Sequence, residues 1–230
     1  MRLHRFYIKE KIGDKEKIIV QDERIVHQWR NVFRMVVGEK VVLFDGSGSD
    51  YISEITSLGK NEAEVSITER KKGIIPDREV WLFFSLIKKD NVELVLQKCT
   101  EVGAAHFVPM ISERSEKKGL NVERAEKILI EASEQCGRSD VPELREITSL
   151  SDAVKKYKDE LKLVAFDYSG LSYFPKPVHH PLGLFVGPEG GFTENEIALF
   201  KENKIPVYSL GSLTLRAETA AITASALSLI

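Results

Sequence analysis

The sequence has little cysteine, no long apolar run and almost no net charge, and each shortage narrows what the chain can be. Its two cysteines, Cys99 and Cys136, form no Cys-x-x-Cys pair and have no histidine cluster nearby. That argues against a metal site and for a reducing compartment. The longest apolar run, around Trp81-Leu82-Phe83-Phe84, is far too short to cross a bilayer, which predicts no membrane association. The opening Met1-Arg2-Leu3-His4-Arg5-Phe6 lacks the apolar segment of a signal peptide, so a cytoplasmic protein is expected. A net charge of −2 supplies no global field for nucleic acid. A 43% hydrophobic fraction in 230 residues is enough to build a core without disulfide staples.

Charge is unevenly placed. Residues 1–40 carry ten Lys and Arg against six Asp and Glu, whereas residues 151–230 carry eight against nine. A basic end points to a phosphate-rich partner; a solvated basic surface explains it equally well.

Residues 1–72 read as a small β domain. Arg5–Ile8, Lys17–Val20, Lys40–Phe44, Tyr51–Ile55 and Glu62–Ile67 are short runs rich in β-branched and aromatic residues, separated by turn signals. Regular short strands of this kind predict a small barrel or sandwich. One interruption, Ile25–Val36, sets Ile25, Val26, Trp29, Val32, Phe33 and Val36 at helical spacing. Arg70–Asp77 is polar, contains Gly and Pro, and reads as a linker. From Arg78 onward, strands alternate with helices. Val80–Ile87 is a nearly continuous apolar run, as in a strand buried on both faces. Asp90 with Glu93, and Thr193 with Glu196, have the spacing of capping boxes, and Gly103 fits a helix stop. The alternation predicts an α/β domain with a mostly parallel sheet.

Two glycine turns fall where such a sheet binds ligands, beyond the carboxyl ends of strands. Gly187-Pro188-Glu189-Gly190-Gly191 follows the strand Leu182–Val186, and Leu210-Gly211-Ser212-Leu213-Thr214-Leu215-Arg216-Ala217-Glu218-Thr219 follows the strand Pro206–Leu210. Glycine leaves backbone N–H and C=O groups open to a ligand, and a helix start just beyond adds unpaired N–H groups. Neither turn is a P-loop or a G-x-G-x-x-G fingerprint, and the chain holds no G-x-S-x-G elbow. Either turn alone is equally well a tight strand-to-helix connection without a ligand; together they predict a cleft for a nucleoside-containing cofactor. Glu218 complements the dipole of the last helix. Arg216 does not, and contact with an anion or a developing negative charge is the natural reason for it.

GPEGGFTENEI, followed about twenty residues later by LGSLTLRAETAAITA, resembles the paired signature of the SPOUT methyltransferases, and more specifically the RsmE family. The resemblance covers most of the chain. Gln97–Gly103, Pro109, Ser112–Ser115, Glu131–Arg138 with Val141-Pro142, Arg5-Phe6-Tyr7 and His27–Arg34 match further family segments in order. Leu213 stands where many relatives carry Arg, and Gln28 stands in place of a second His.

The resemblance implies a PUA-like RNA-binding β-barrel over residues 1–72 and a SPOUT domain over 73–230, trefoil-knotted in the chain from about Phe166 onward. It also implies a homodimer acting on small-subunit ribosomal RNA, where N3 of one uridine takes a methyl group from S-adenosylmethionine. Carried over by position, the cofactor meets Phe166, Val186, Gly187, Glu189, Gly190, Leu210, Gly211, Leu213, Leu215 and Thr219. Arg216 then stabilises charge building on the uracil. Glu218, or alternatively Glu189, holds Arg216 or relays the N3 proton. Arg5, Arg30 and Arg34 grip the RNA backbone. The other classes are an RNA-binding ribosome-assembly factor that keeps the fold without methyl transfer, and an unrelated nucleotide-binding α/β enzyme.

Overall fold

The structure, a computed structural model, describes residues 3–171, 174 and 181–229. They form two compact units: Met1–Ile75 with Ser133–Val141, and Pro76–Ala132 with Pro142–Ile230.

The first unit contains β1 (Arg5–Tyr7), β2 (Lys17–Val20), α1 (Glu23–His27), β3 (Lys40–Phe44), β4 (Ser49–Leu58) and β5 (Ala63–Lys72). These strands make one sheet in the order β1-β3-β4-β5-β2, antiparallel except for β1 on β3. Alternation sets the faces: Ile18 and Val20 of β2 are buried, while Lys17 and Ile19 are exposed. Phe6, Leu43, Ile55 and Val65 close the core with Ile25, Val26 and Trp29.

Two expectations change here. The helix over Ile25–Val36 ends early. After His27 it widens into a π-helical turn, Gln28–Val32, with Phe33 N–H donating to Gln28 C=O at 2.9 Å. Arg34 then takes the left-handed conformation at φ 53°. The wider turn rotates the apolar face, so Trp29 stays buried while Val32, Phe33 and Val36 emerge into solvent. Arg70–Lys72 is also no linker. Because β4 reaches back to Ser49, Lys72, Lys71 and Arg70 pair with Ser49, Asp50 and Tyr51 as the end of β5.

Residues 133–141 join this unit through buried polar ties. The Arg5 guanidinium grips Asp50 at 2.6 and 2.8 Å and also donates to Arg138 C=O at 3.2 Å and Ser139 Oγ at 3.1 Å. Glu134 accepts from Tyr7 N–H and from the Arg24 guanidinium. Burial pushes the Asp50 carboxyl up, but hydrogen bonds from Arg5 and Ser139 and the nearby positive charge outweigh it and hold it below the ordinary range.

The second unit contains β6 (Val80–Ser85), α2 (Lys89–Val102), β7 (His106–Ile111), α3 (Val122–Cys136), β8 (Glu143–Leu144), β9 (Thr148–Ser149), α4 (Leu150–Tyr157), β10 (Lys162–Leu171), β11 (Leu182–Val186), α5 (Glu194–Glu202), β12 (Val207–Tyr208) and α6 (Ala217–Leu229). The last turn of α3 groups with the first unit. The sheet order is β12-β10-β11-β6-β7-β8, with β9 also on β7, and every pairing is parallel. Each residue of β6 is buried, as its unbroken apolar run requires. Cys99 lies fully buried in α2, and desolvation pushes its thiol up to about 12, so it is an inert core residue.

Helix ends follow local chemistry with one exception. Gly103 closes α2 at φ 113°, and Thr193 and Glu196 form a full capping box on α5. Asp90 and Glu93 form none. The helix starts two residues earlier, at Lys89 with Lys88 as its N-cap, and Glu93 instead takes the Arg124 guanidinium at 3.2 and 2.7 Å. The two-residue strands β8 and β9 carry too little pattern to be predicted, and β12 is shorter than the expected Pro206–Leu210. Among the described residues, no helix is long and apolar enough to cross a membrane.

Because β10 lies between β11 and β12, the turns that follow those two strands flank its carboxyl end.

Candidate cofactor cleft

The first glycine turn begins where β11 stops at Val186. Gly191 N–H donates to Pro188 C=O at 2.9 Å, and Gly191 sits at φ 68°. A Cβ there would stand 3.1 Å from Asp167 Oδ2, so only glycine fits both the conformation and the space. The turn is braced from two directions. Arg114, from the loop after β7, donates to the carbonyls of Gly190 and Phe192. Glu196, buried at the start of α5, accepts from Thr193 N–H and Glu113 N–H, both at 2.9 Å.

The second turn leaves β12 at Ser209, whose N–H donates to Leu171 C=O at 2.7 Å. Ser209 Oγ donates to Gly211 C=O at 2.9 Å, and Gly211 takes φ 140°. The chain then enters α6, where Ala220 N–H donates to Arg216 C=O at 2.8 Å. Between the turns, Asp167 ties the end of β10 to the first. Its Oδ1 accepts from Ser169 N–H and Oγ at 2.9 and 2.6 Å, and its Oδ2 accepts from Phe192 N–H at 3.3 Å.

These three segments enclose a cleft of about 270 Å³. Its floor is buried: Phe166, Val186, Gly187, Pro188 and Ala217. Its rim is exposed: Tyr168, Glu189, Gly190, Leu213 and Thr214. Ser209, Leu210, Leu215, Gly191 and Ala220 lie between.

Eight residues picked from sequence therefore line one cleft: Phe166, Val186, Gly187, Glu189, Gly190, Leu210, Leu213 and Leu215. Gly211 and Thr219 do not line it. Gly211 serves the backbone of the turn, and Thr219 projects into solvent while Ala217 and Ala220 of the same helix turn toward the cleft. Asp167 and Tyr168 were missed, although they directly follow Phe166 at a strand's carboxyl end, where the rule for parallel sheets puts ligands. Arg114 also follows a strand's carboxyl end, that of β7, but its brace on the turn is not visible locally, because its partners lie 76 and 78 residues away.

The charged candidates separate. Arg216 is exposed and sits between two cleft residues, Leu215 and Ala217. Glu218 is only 6% exposed, lies outside the cleft lining, and has an Oε2 with no hydrogen-bond partner. Arg216 comes just before the first residue of α6, Ala217, and no ion pair joins it to Glu218 among the described residues. Arg30 and Arg34 are exposed on the first unit. Arg5 is not: its side chain is 9% exposed, and its terminal guanidinium nitrogens are taken by Asp50, Arg138 C=O and Ser139 Oγ, so it ties the first unit together and is not presented to RNA.

The cleft suits one kind of cofactor. An apolar floor accepts an adenine ring, and main-chain groups of the glycine turns can read its polar edge. Among the described residues no Lys or Arg lines the cleft, and the charged side chains in its lining are Asp167 and Glu189. Carboxylates repel a polyphosphate and favour a cation, which matches S-adenosylmethionine, with its sulfonium and ammonium groups, better than ATP or NAD.

The profile of the RNA methyltransferase domain family matches residues 75–229, and that of the RNA methyltransferase PUA domain matches residues 30–68. Ribosomal RNA small subunit methyltransferase E of Rickettsia conorii is 32% identical over 232 residues, spanning 98% of this chain and 95% of its own. The protein of the same name from Bacillus subtilis is 30% identical over 239 residues, spanning 95% and 93%. A crystal structure of a ribosomal RNA small subunit methyltransferase E from Neisseria gonorrhoeae, bound to S-adenosyl methionine, aligns with a TM-score of 0.90 at 30% identity, covering 98% of this chain and 96% of that one. With likeness of this extent over both units and both glycine turns, the chain belongs to the ribosomal RNA small subunit methyltransferase E family of RNA methyltransferases.

Proposed function

We propose that this protein methylates small-subunit ribosomal RNA with S-adenosylmethionine, at N3 of a uridine. The observation that carries the reading is the cleft itself: two glycine turns around an apolar floor, with the carboxylates of Asp167 and Glu189 as its charged lining among the described residues. The cofactor supplies an electrophilic methyl group. Phe166, Val186, Gly187, Leu210 and Leu215 would hold its nucleoside, and Asp167 would neutralise positive charge. In calorimetric titration S-adenosylmethionine should bind, and ATP and NAD should not. Binding of either nucleotide in its place would turn the reading toward a different α/β enzyme.

The chain's own residues must then do two things. They must hold the base in line with the methyl group, which is where most of the rate is gained. They must also take the N3 proton or stabilise the anion it leaves. Arg216, exposed beside the cleft, is the group for the anion. Glu189 is the carboxylate on the rim and the better placed proton acceptor. Glu218 is a candidate on other grounds, since a buried carboxylate oxygen without a partner is expensive and calls for a functional reason. Glu189→Gln and Glu218→Gln, compared for rate as a function of pH, distinguish them: the acceptor's variant loses the basic rise in rate.

The first unit would bind RNA through Arg30 and Arg34 and the exposed surface around them, with a working division of the chain near residues 72–75. The trefoil threading expected of the family would involve the chain from Phe166 onward; residues 172–173 and 175–180 of that stretch lie outside the described residues. A homodimer fits α6, which is almost wholly apolar or small in sequence. One face packs on α2, β6 and β11, while the other leaves Leu227 about half exposed. A solution mass twice the chain's 26.0 kDa would support it, and a mass equal to one chain would not. Ribosomal RNA as substrate puts the protein in the cytoplasm.

A further inference from the structure

We propose that the exposed rim of the cleft is the seat of the target base, with the uracil ring stacked on Tyr168 and Leu213 contributing an apolar contact. The proposal rests on the methyltransferase reading above and adds the residue that holds the substrate.

Tyr168 and Leu213 are 76% and 79% exposed, yet both line the cleft. They come from different segments, the end of β10 and the turn after β12, and share the rim above a floor that is otherwise buried. Apolar surface left in water at the mouth of a binding cleft is surface that a ligand can cover.

Tyr168 is also held in position. Its neighbour Asp167 bonds Ser169 on one side and Phe192 N–H on the other, which fixes the backbone around it. Its ring stands beside Gly191, where a Cβ, if there were one, would lie 3.7 Å from Cε1 and 3.9 Å from Cδ1. A ring beside the glycine turn, on a backbone held by Asp167 and with most of its area open, is a platform for a base.

The chemistry matches the occupant. Enzymes that modify a base in RNA need it unstacked, and they receive it between aromatic and apolar side chains. A uracil face is flat and poorly solvated, so it gains from an aromatic plane. Its carbonyl oxygens accept hydrogen bonds, and Arg216, next to the lining residue Leu215, is an exposed donor at the same edge. The rim thus offers stacking for the ring, and Arg216, outside the lining but adjoining it in the chain, offers a cation for the oxygens.

The test uses the full-length protein and its RNA substrate. Tyr168→Ala should lower kcat/KM for RNA by about tenfold to a hundredfold, as loss of one base–aromatic stack does, with S-adenosylmethionine affinity unchanged. Tyr168→Phe keeps the ring and should recover most of the rate. RNA carrying 4-thiouridine, irradiated with the wild-type protein in S-adenosylhomocysteine, should crosslink to the peptide containing Tyr168. Wild-type transfer with an unaffected Tyr168→Ala variant overturns the proposal and leaves the methyltransferase reading standing. So does an equal loss of cofactor affinity, which would make Tyr168 a cofactor contact. Absence of any transfer by the wild type removes both.

Discussion

Single residues divide between those that hold the protein together and those that act. Arg5 belongs to the first kind. Removing it leaves Asp50 buried without its partner, and Arg5→Ala should cost about 3 kcal/mol or more of stability, read as a lowered denaturant midpoint. The same pair sets a pH dependence. A carboxyl held below its ordinary value stabilises the folded state above that value and loses the contribution as pH falls through the lowered one. Thermal scans should therefore show stability falling on the acid side, and Asp50→Asn should remove that part of the slope. Arg216 belongs to the second kind. Arg216→Ala should lower methyl transfer by about a hundredfold, the scale of losing one donor to a developing anion, while cofactor affinity stays unchanged. Sequence grouped Arg5 with Arg30 and Arg34 because all three sit in a basic stretch. What separates it is a partner 45 residues away and another 134 residues away, which no local pattern contains.

At the scale of elements, the two glycine turns were legible because their chemistry is local. A strand's carboxyl end, a glycine and a following cap are all visible in a dozen residues, and Thr193 with Glu196 formed the expected box. Gly191→Ala should therefore be a sharp test. It places a side chain at positive φ, which strains the backbone by about 1–2 kcal/mol, and presses on Asp167. Weaker S-adenosylmethionine binding with the fold retained is the expected result, read by calorimetry and circular dichroism. Elements whose form depends on distant partners were less legible. The π-helical turn after His27 changed which of Val32, Phe33 and Val36 face inward. Asp90 and Glu93 had the spacing of a cap, but Arg124, 31 residues from Glu93, claimed the carboxylate. Arg70–Lys72 looked like a linker until the extended β4 offered it backbone partners. Phe166, Val186 and Gly187, named from sequence, lie in the floor of one cleft, whereas Tyr168 and Asp167 of the same lining belong to no glycine signature.

The whole molecule pairs a unit bearing exposed arginines with a unit bearing the cleft. Its net charge of −2 means that any grip on RNA must be local. Arg30→Glu with Arg34→Glu should weaken RNA binding and flatten its salt dependence, leaving cofactor binding as it was. The measurement that bears most directly on the account is transfer of labelled methyl from S-adenosylmethionine to small ribosomal subunits from cells lacking this enzyme's modification, with the RNA digested and its nucleosides separated. The account predicts label in 3-methyluridine, appearing about a hundredfold more slowly with Arg216→Ala. Cofactor bound but no label in RNA would contradict it, leaving a fold that holds the cofactor without transferring its methyl group.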